Sequence, residues 1–168
     1  MKWQETGDMP CPVARTLAVL GDRWTLLIIR NSFMATRRFD DFQSQLGMTR
    51  HVLAQRLARL VEVGVLEKVP YGDKPVRHEY RLTEMGRELH PLVLALGHWG
   101  NRWLSDGQGA ITAHVHKQCG QVFTPVTVCS ECREPVTARD VILTAGPGFQ
   151  HAVSLSAAAR QARSGTGD

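Results

Sequence analysis

The chain has no apolar run approaching the roughly 20 residues needed to cross a bilayer. Its opening residues, MKWQETGDMP, lack the apolar centre of a secretion signal. Both absences lead to the expectation of a cytoplasmic protein. Cysteine is scarce, four in 168 residues. In a reducing compartment these are expected to be thiols, metal ligands or redox sensors rather than a disulfide framework. Catalytic signatures are missing as well: there is no G-x-S-x-G elbow, no phosphate-cradling glycine loop and no H-E-x-x-H. Asp40-Asp41 is a carboxylate pair, but adjacent residues of a helix do not face each other, which suits a solvated face. An enzyme is therefore not expected.

What is present is ordinary in amount and uneven in placement. With 43% hydrophobic and 21% charged residues the composition is that of a globular domain. The length suffices for one domain of roughly a hundred residues and a small appendix. The formal charge is +4. Residues 22 to 81 hold eleven Lys and Arg against seven Asp and Glu, so the whole excess sits there. A basic cluster on one module is what attraction to phosphate requires.

The rest of the chain is organised around residues 47 to 81. Gly47 makes a turn into Thr49, a suitable helix N-cap. Leu53, Leu57 and Leu60 recur at helical spacing, while the opposite face carries Arg50, His51, Gln55 and Arg59. Gly64 stands where a helix-ending glycine belongs. Two short strands follow, 65 to 69 and 76 to 82, joined by a turn-rich loop from Pro70 to Pro75. Helix, strand, basic loop, strand is the order of a winged helix-turn-helix. Its helix can enter a DNA major groove, and Lys74 and Arg77 of the loop can reach the backbone or minor groove.

Upstream, Pro12 suits the first position of a helix whose N-cap is Cys11, with Val13, Leu17 and Leu20 as its stripe. Asp22 can cap the next helix, 23 to 33, whose WTLLII centre is apolar nearly all round and expected to be buried. Phe39 to Leu46 predicts the first helix of the helix-turn-helix. Downstream, Thr83 can cap a long helix in which Met85, Leu89, Leu92, Leu96, Trp99 and Trp103 form a seam of the coiled-coil type. Pro91 lies inside that pattern and predicts a kink or a break. A seam of this kind invites a second copy, and two recognition helices about 34 Å apart would read an inverted repeat. After a linker at 105 to 110, residues 111 to 143 turn rich in Val and Thr and predict short strands. That segment holds His116-x-x-Cys119 and Cys129-x-x-Cys132, two ligand pairs with the spacing of a zinc ribbon, and His114 competes with His116. A structural zinc is the candidate cofactor. The alternative is a metal-free β appendage with Cys129 and Cys132 as thiols or a redox pair.

The strings CPVARTLAVLGDRWTLLIIR, RFDDFQ, LGMTRHVLAQRLARLVEVGVLEKVPY, RHEYRLTEMG and WGNRW, in that order, resemble HxlR-type transcriptional regulators, a branch of the MarR-like winged helix proteins. The resemblance runs from about Cys11 to Trp103. It implies a mainly α fold with a small β wing, a long C-terminal dimerisation helix, and a homodimer on promoter DNA that represses or activates transcription, repression being the expected role. It implies a recognition helix from Thr49 to Val63, with Arg50, His51 and Gln55 as base readers, and with Arg77 and Arg56 or Arg59 on phosphates. Some members of that family use a cysteine at the place of Cys11 to sense oxidants or electrophiles. The expected organisation is a DNA-binding and dimerisation domain over 11–105, a β-rich appendage over 111–150 and a flexible tail over 151–168 that starts as a short helix from Ser154. Two other readings stay open: an interaction adaptor that keeps the winged fold without binding DNA, and a small-molecule-binding protein.

Overall fold

The structure is a computed structural model that describes residues 3–72 and 76–164. Its contacts divide the chain into two compact units: residues 1–86 with 144–168, and residues 87–143. On sequence the boundaries were expected near 105 and 150.

The first unit opens with a 3-10 turn, Trp3–Asp8, and continues with α1 (Pro12–Leu20), α2 (Arg23–Phe33), α3 (Phe39–Leu46) and α4 (Arg50–Glu62). Pro12 opens α1, and Cys11 is its half-buried N-cap residue, with no side-chain hydrogen bond into the helix. Asp22 caps α2 by accepting from the amides of Trp24 and Thr25 at 2.9 and 3.2 Å and from the Thr25 hydroxyl. Burial alone would raise this carboxyl; the Thr25 hydroxyl, the two amides and the Arg56 guanidinium outweigh it and hold its pKa below the usual value. The core lies where the apolar stripes of these helices meet. Ile28, Ile29, Phe42, Leu53 and Leu57 are fully buried, and Leu60, Val65 and Leu66 nearly so. One polar cluster lies at its edge: Gln45 Oε1 accepts from Asn31 Nδ2 at 2.8 Å and from Thr36 Oγ1 at 2.9 Å. Those bonds satisfy two buried polar side chains that would otherwise be costly.

Strands β1 (Leu66–Tyr71) and β2 (Arg77–Leu82) form an antiparallel hairpin with Leu66 opposite Leu82 and Tyr71 opposite Arg77. A short helix, α5 (Glu84–Arg87), follows. Thr83 caps it, accepting from the Gly86 amide at 3.1 Å. The sequence-predicted long helix is interrupted. The next helix, α6, runs from His90 to Trp103 with Pro91 in its first turn, so the break falls where the proline removes a donor.

In the second unit, α6 buries none of its residues. Beyond it, β3 (His114–Val115) pairs antiparallel with β4 (Val122–Phe123). Asn101 ties the intervening chain back to the helix, donating to Thr112 O at 2.7 Å and accepting from Ile111 N at 3.0 Å. The stretch read as a tail is helical: α7 spans Phe149–Ser164 and touches the N-terminal turn within the first unit. Its Ser156 is buried and bonded to Arg160.

Candidate nucleic-acid interface

The site begins with a turn. Gly47 ends α3 at φ +65°, a left-handed conformation that costs a glycine little. The chain then enters α4, where the Thr49 hydroxyl accepts from Val52 N at 3.4 Å. Because Leu53, Leu57 and Leu60 occupy the core, the other face of α4 must be exposed. Arg50, His51, Gln55 and Arg59 all lie there.

These side chains are held in mutual contacts rather than splayed. Arg50 Nη1 donates to Asp40 Oδ1 and to Gln43 Oε1, both at 2.9 Å, and its guanidinium lies 4.7 Å from the centre of the Phe39 ring. Gln55 Nε2 stands 3.0 Å from His51 Nε2. Arg59 pairs with Glu62 at 2.8 Å. All these groups are solvent-exposed, so each contact is weak and exchangeable for a stronger anionic partner. Of the two arginines offered for phosphate, Arg56 stands apart. Its Nε is 3.1 Å from Asp22 Oδ1, at the start of α2, in a half-buried ion pair without hydrogen-bond alignment. Arg56 thereby links the recognition helix to the cap of α2.

The wing is tied to the helix-turn-helix through backbone. Tyr80 N donates to Arg37 O at 2.7 Å, and Arg38 forms a β-bridge with Glu79. The segment just before α3 thus acts as a third strand beside β2. Glu79 draws Arg38 to 3.9 Å and Arg81 to 3.0 Å, and Arg38 also lies over the Tyr71 ring at 5.0 Å. Between wing and α3 lies a polar cleft of about 480 Å3 lined by Arg38, Lys68, Arg77 and His78 together with Asp40, Asp41, Phe39, Tyr71 and Tyr80. Burial raises the Tyr80 phenol. Arg77 lies at the tip of β2, in this cleft; Lys74 lies outside the described residues. Arg38, Lys68 and His78 were missed on sequence. The signal was there in part: the Arg37-Arg38 pair immediately precedes a helix, and alternation along the two strands puts Lys68 and His78 on one face of the hairpin, with Arg77 and Arg81 on the other.

The other sequence-predicted groups lie on other elements. Of the seam residues, Met85, Leu92, Leu96, Trp99 and Trp103 are exposed and Leu89 is half-buried. His116 Nδ1 lies 3.3 Å from Cys119 Sγ. The Cys129 thiol is pushed down by the Cys132 and Glu131 amides and by the Cys132 side chain. Among the described residues no three His, Cys, Asp or Glu side chains stand close enough together to hold one ion, so the two pairs do not converge. No helix among the described residues is long and apolar enough to cross a membrane.

The profile of the HxlR-like helix-turn-helix family matches residues 19–108. An uncharacterised HTH-type transcriptional regulator of Mycobacterium tuberculosis H37Rv, Rv3095, is 43% identical over 144 residues, covering 86% of this chain and 91% of that protein. A second, sll1512 of Synechocystis, is 34% identical over 101 residues, 60% of this chain and 74% of its own. Among solved structures, PA1607, a candidate transcription factor, superposes with a TM-score of 0.74 at 36% identity, over 81% of this chain and 95% of its own. The reduced form of HypR, a redox regulator, gives 0.52 at 33% identity, over 56% and 96%. With the winged fold in place, these matches make the chain a member of the HxlR-like helix-turn-helix family, an HTH-type transcriptional regulator and not an enzyme.

Proposed function

We propose that the protein is a repressor that binds an inverted-repeat operator as a homodimer. The observation that carries this reading is the division of α4: its leucines are locked in the core, and Arg50, His51 and Gln55 are presented to solvent at its N-terminal half. That half of a recognition helix is the part that meets base edges. Thr49, at the cap, and Arg59 lie on the flanks, where phosphates run. Arg77 and Lys74 reach the backbone from the wing, and the backbone tie between Tyr80 and Arg37 supports the wing's position beside α3. Arg56 contributes by positioning α4 on α2.

The dimer reading rests on α6. A helix that exposes Leu92, Leu96, Trp99 and Trp103 on one stripe has an apolar face without a cover among the described residues. The response to a signal rests on Cys11. It is half-buried at the N-cap of α1, and the similar HypR is a redox regulator. Oxidant should change operator affinity in the native chain and leave Cys11→Ser unaffected.

Duplex binding measured against salt tests the whole reading. Arg77→Ala is expected to weaken binding to all sequences alike and to lower the salt slope by about one. Gln55→Ala is expected to cost about 1–3 kcal/mol on the preferred site only. Equal losses on operator and random DNA would overturn the reader assignment, and binding insensitive to salt would point to the adaptor. Trp99→Glu should give monomers with no operator binding; a dimer that survives it refutes the role given to α6.

A further inference from the structure

The second unit contains one small structure built twice. In the first copy, His116 N donates to Gln121 O at 2.9 Å, Gly120 N donates to His116 O at 2.8 Å, and Gly120 sits at φ +70°. Thirteen residues on, from 116 to 129, every feature returns. Cys129 N donates to Glu134 O at 2.9 Å, Arg133 N donates to Cys129 O at 3.0 Å, and Arg133 sits at φ +64°. The flanking pairs return too. Val115 opposite Val122 becomes Val128 opposite Pro135, and below the second hairpin Val136 N donates to Thr127 O at 2.9 Å. The shared positions of the two hairpins are His116 with Cys129 and Cys119 with Cys132. His114 corresponds to Thr127, which decides between the two histidines.

In the first hairpin the ligand atoms already face one another, with His116 Nδ1 3.3 Å from Cys119 Sγ. A redox pair at Cys129 and Cys132 would leave the same turn around His116 and Cys119 without a purpose. No apolar core holds this segment: no described residue from 106 to 150 is buried. A stretch that short cannot bury enough surface to order itself, and a metal can supply the missing free energy.

We infer that His116, Cys119, Cys129 and Cys132 are the four ligands of one structural Zn2+ ion, which draws the two hairpins together. Among the described residues the two pairs stand apart, and drawing them together is the part assigned to the ion. Three thiols and one neutral imidazole suit zinc, fill a tetrahedron and leave no open position for catalysis. Binding exchanges the three thiol protons, released to solvent, for three Zn–S bonds, and no group is oxidised or reduced. This site is independent of the DNA reading.

The test uses the full chain, purified without a chelator or a histidine tag. Elemental analysis should find one zinc per chain in the native protein and in His114→Ala, and almost none in Cys119→Ser or Cys132→Ser. Because those variants could lose metal by misfolding, the native chain is stripped and titrated with Co2+ alone. Tetrahedral cobalt bands with thiolate-to-metal charge transfer are expected, strengthened in His116→Cys, where a fourth thiolate replaces the imidazole. A native chain that contains no zinc and takes up Co2+ without thiolate bands overturns the site. So does a Cys119→Ser variant with full zinc, or a Cys129–Cys132 disulfide in the protein as purified under reducing conditions.

Discussion

The winged helix-turn-helix and the double hairpin of residues 114–136 are ordered by opposite means. In the first, position follows from burial: Ile28, Ile29, Phe42, Leu53 and Leu57 exclude solvent completely, and the recognition helix faces outward because its leucines cannot. In the second, Val115, Val122, Val126 and Val128 all remain exposed, and geometry is set by backbone hydrogen bonds within a few residues. A module of the first kind is stable by itself and spends its surface on recognition. A module of the second kind is shaped locally but is left short of free energy, which a ligand or a partner must provide.

The sharpest way to break that contrast is to remove a side chain from each region. Phe42→Ala deletes a fully buried ring and should cost about 3–5 kcal/mol, a large share of the stability of a domain this size. Val122→Ala removes two methyl groups from a side chain that is 68% exposed and should stay within about 0.5 kcal/mol. Urea unfolding followed by tryptophan fluorescence measures both. Equal costs would mean that the hairpin has a core of its own after all.

A smaller effect probes the electrostatic link inside the first region. Asp22→Ala loses the cap of α2 and the Arg56 partner together, a cost of about 1–2 kcal/mol and a few degrees in Tm. The Asp22 carboxyl has its pKa lowered by folding. Its contribution is therefore fully present above the unfolded value of about 3.9 and fades as pH falls through the lower folded value. The difference in stability between the native chain and Asp22→Asn, which keeps a capping oxygen, should be constant near neutrality and shrink in acid. A difference that instead grew in acid would assign the lowered pKa to the wrong side of the transition.

The same contrast explains what was legible in the sequence. Gly47, Thr49, Leu53, Leu57 and Leu60 announce α4 because turn, cap and apolar period are local signals, and all three agree. Pro91 announced the break before α6 for the same reason. The strand-like bridge of Arg38 to Glu79 was invisible, since it joins residues forty-one apart through backbone that carries no residue-specific mark. The pairing of Arg56 with Asp22 was hidden likewise: it exists only because α4 docks on the start of α2, and an arginine on a basic helix reads as a phosphate contact until that docking is known. Helix α7 was legible only as a short helix from Ser154: its small residues, SLSAAARQAR, give little apolar period, and its extent comes with its contact to the N-terminal turn. In the hairpins the ligand spacing was readable from His116 to Cys132, but the thirteen-residue repeat was not, because apart from Val115/Val128 and Cys119/Cys132 the side chains at most matching positions differ, while the backbone repeats throughout.

That backbone identity carries the finest prediction. Arg133 adopts at φ +64° what Gly120 adopts at +70°, so the second hairpin already tolerates a side chain where the first has none. A Cβ placed on Gly120 meets nothing within 4 Å, which leaves the left-handed backbone as the only penalty. Gly120→Arg should therefore keep the metal, with a loss of about 1 kcal/mol or less, at most fivefold to sixfold in affinity for Co2+ by competition with a coloured chelator. Gly120→Val should lose more, about tenfold or beyond, because branching at Cβ makes the left-handed region far less accessible. The order of the two variants is what matters. If Gly120→Arg fares as badly as Gly120→Val, space rather than backbone conformation limits the first hairpin, and the two hairpins are alike in hydrogen bonding but not in what surrounds them.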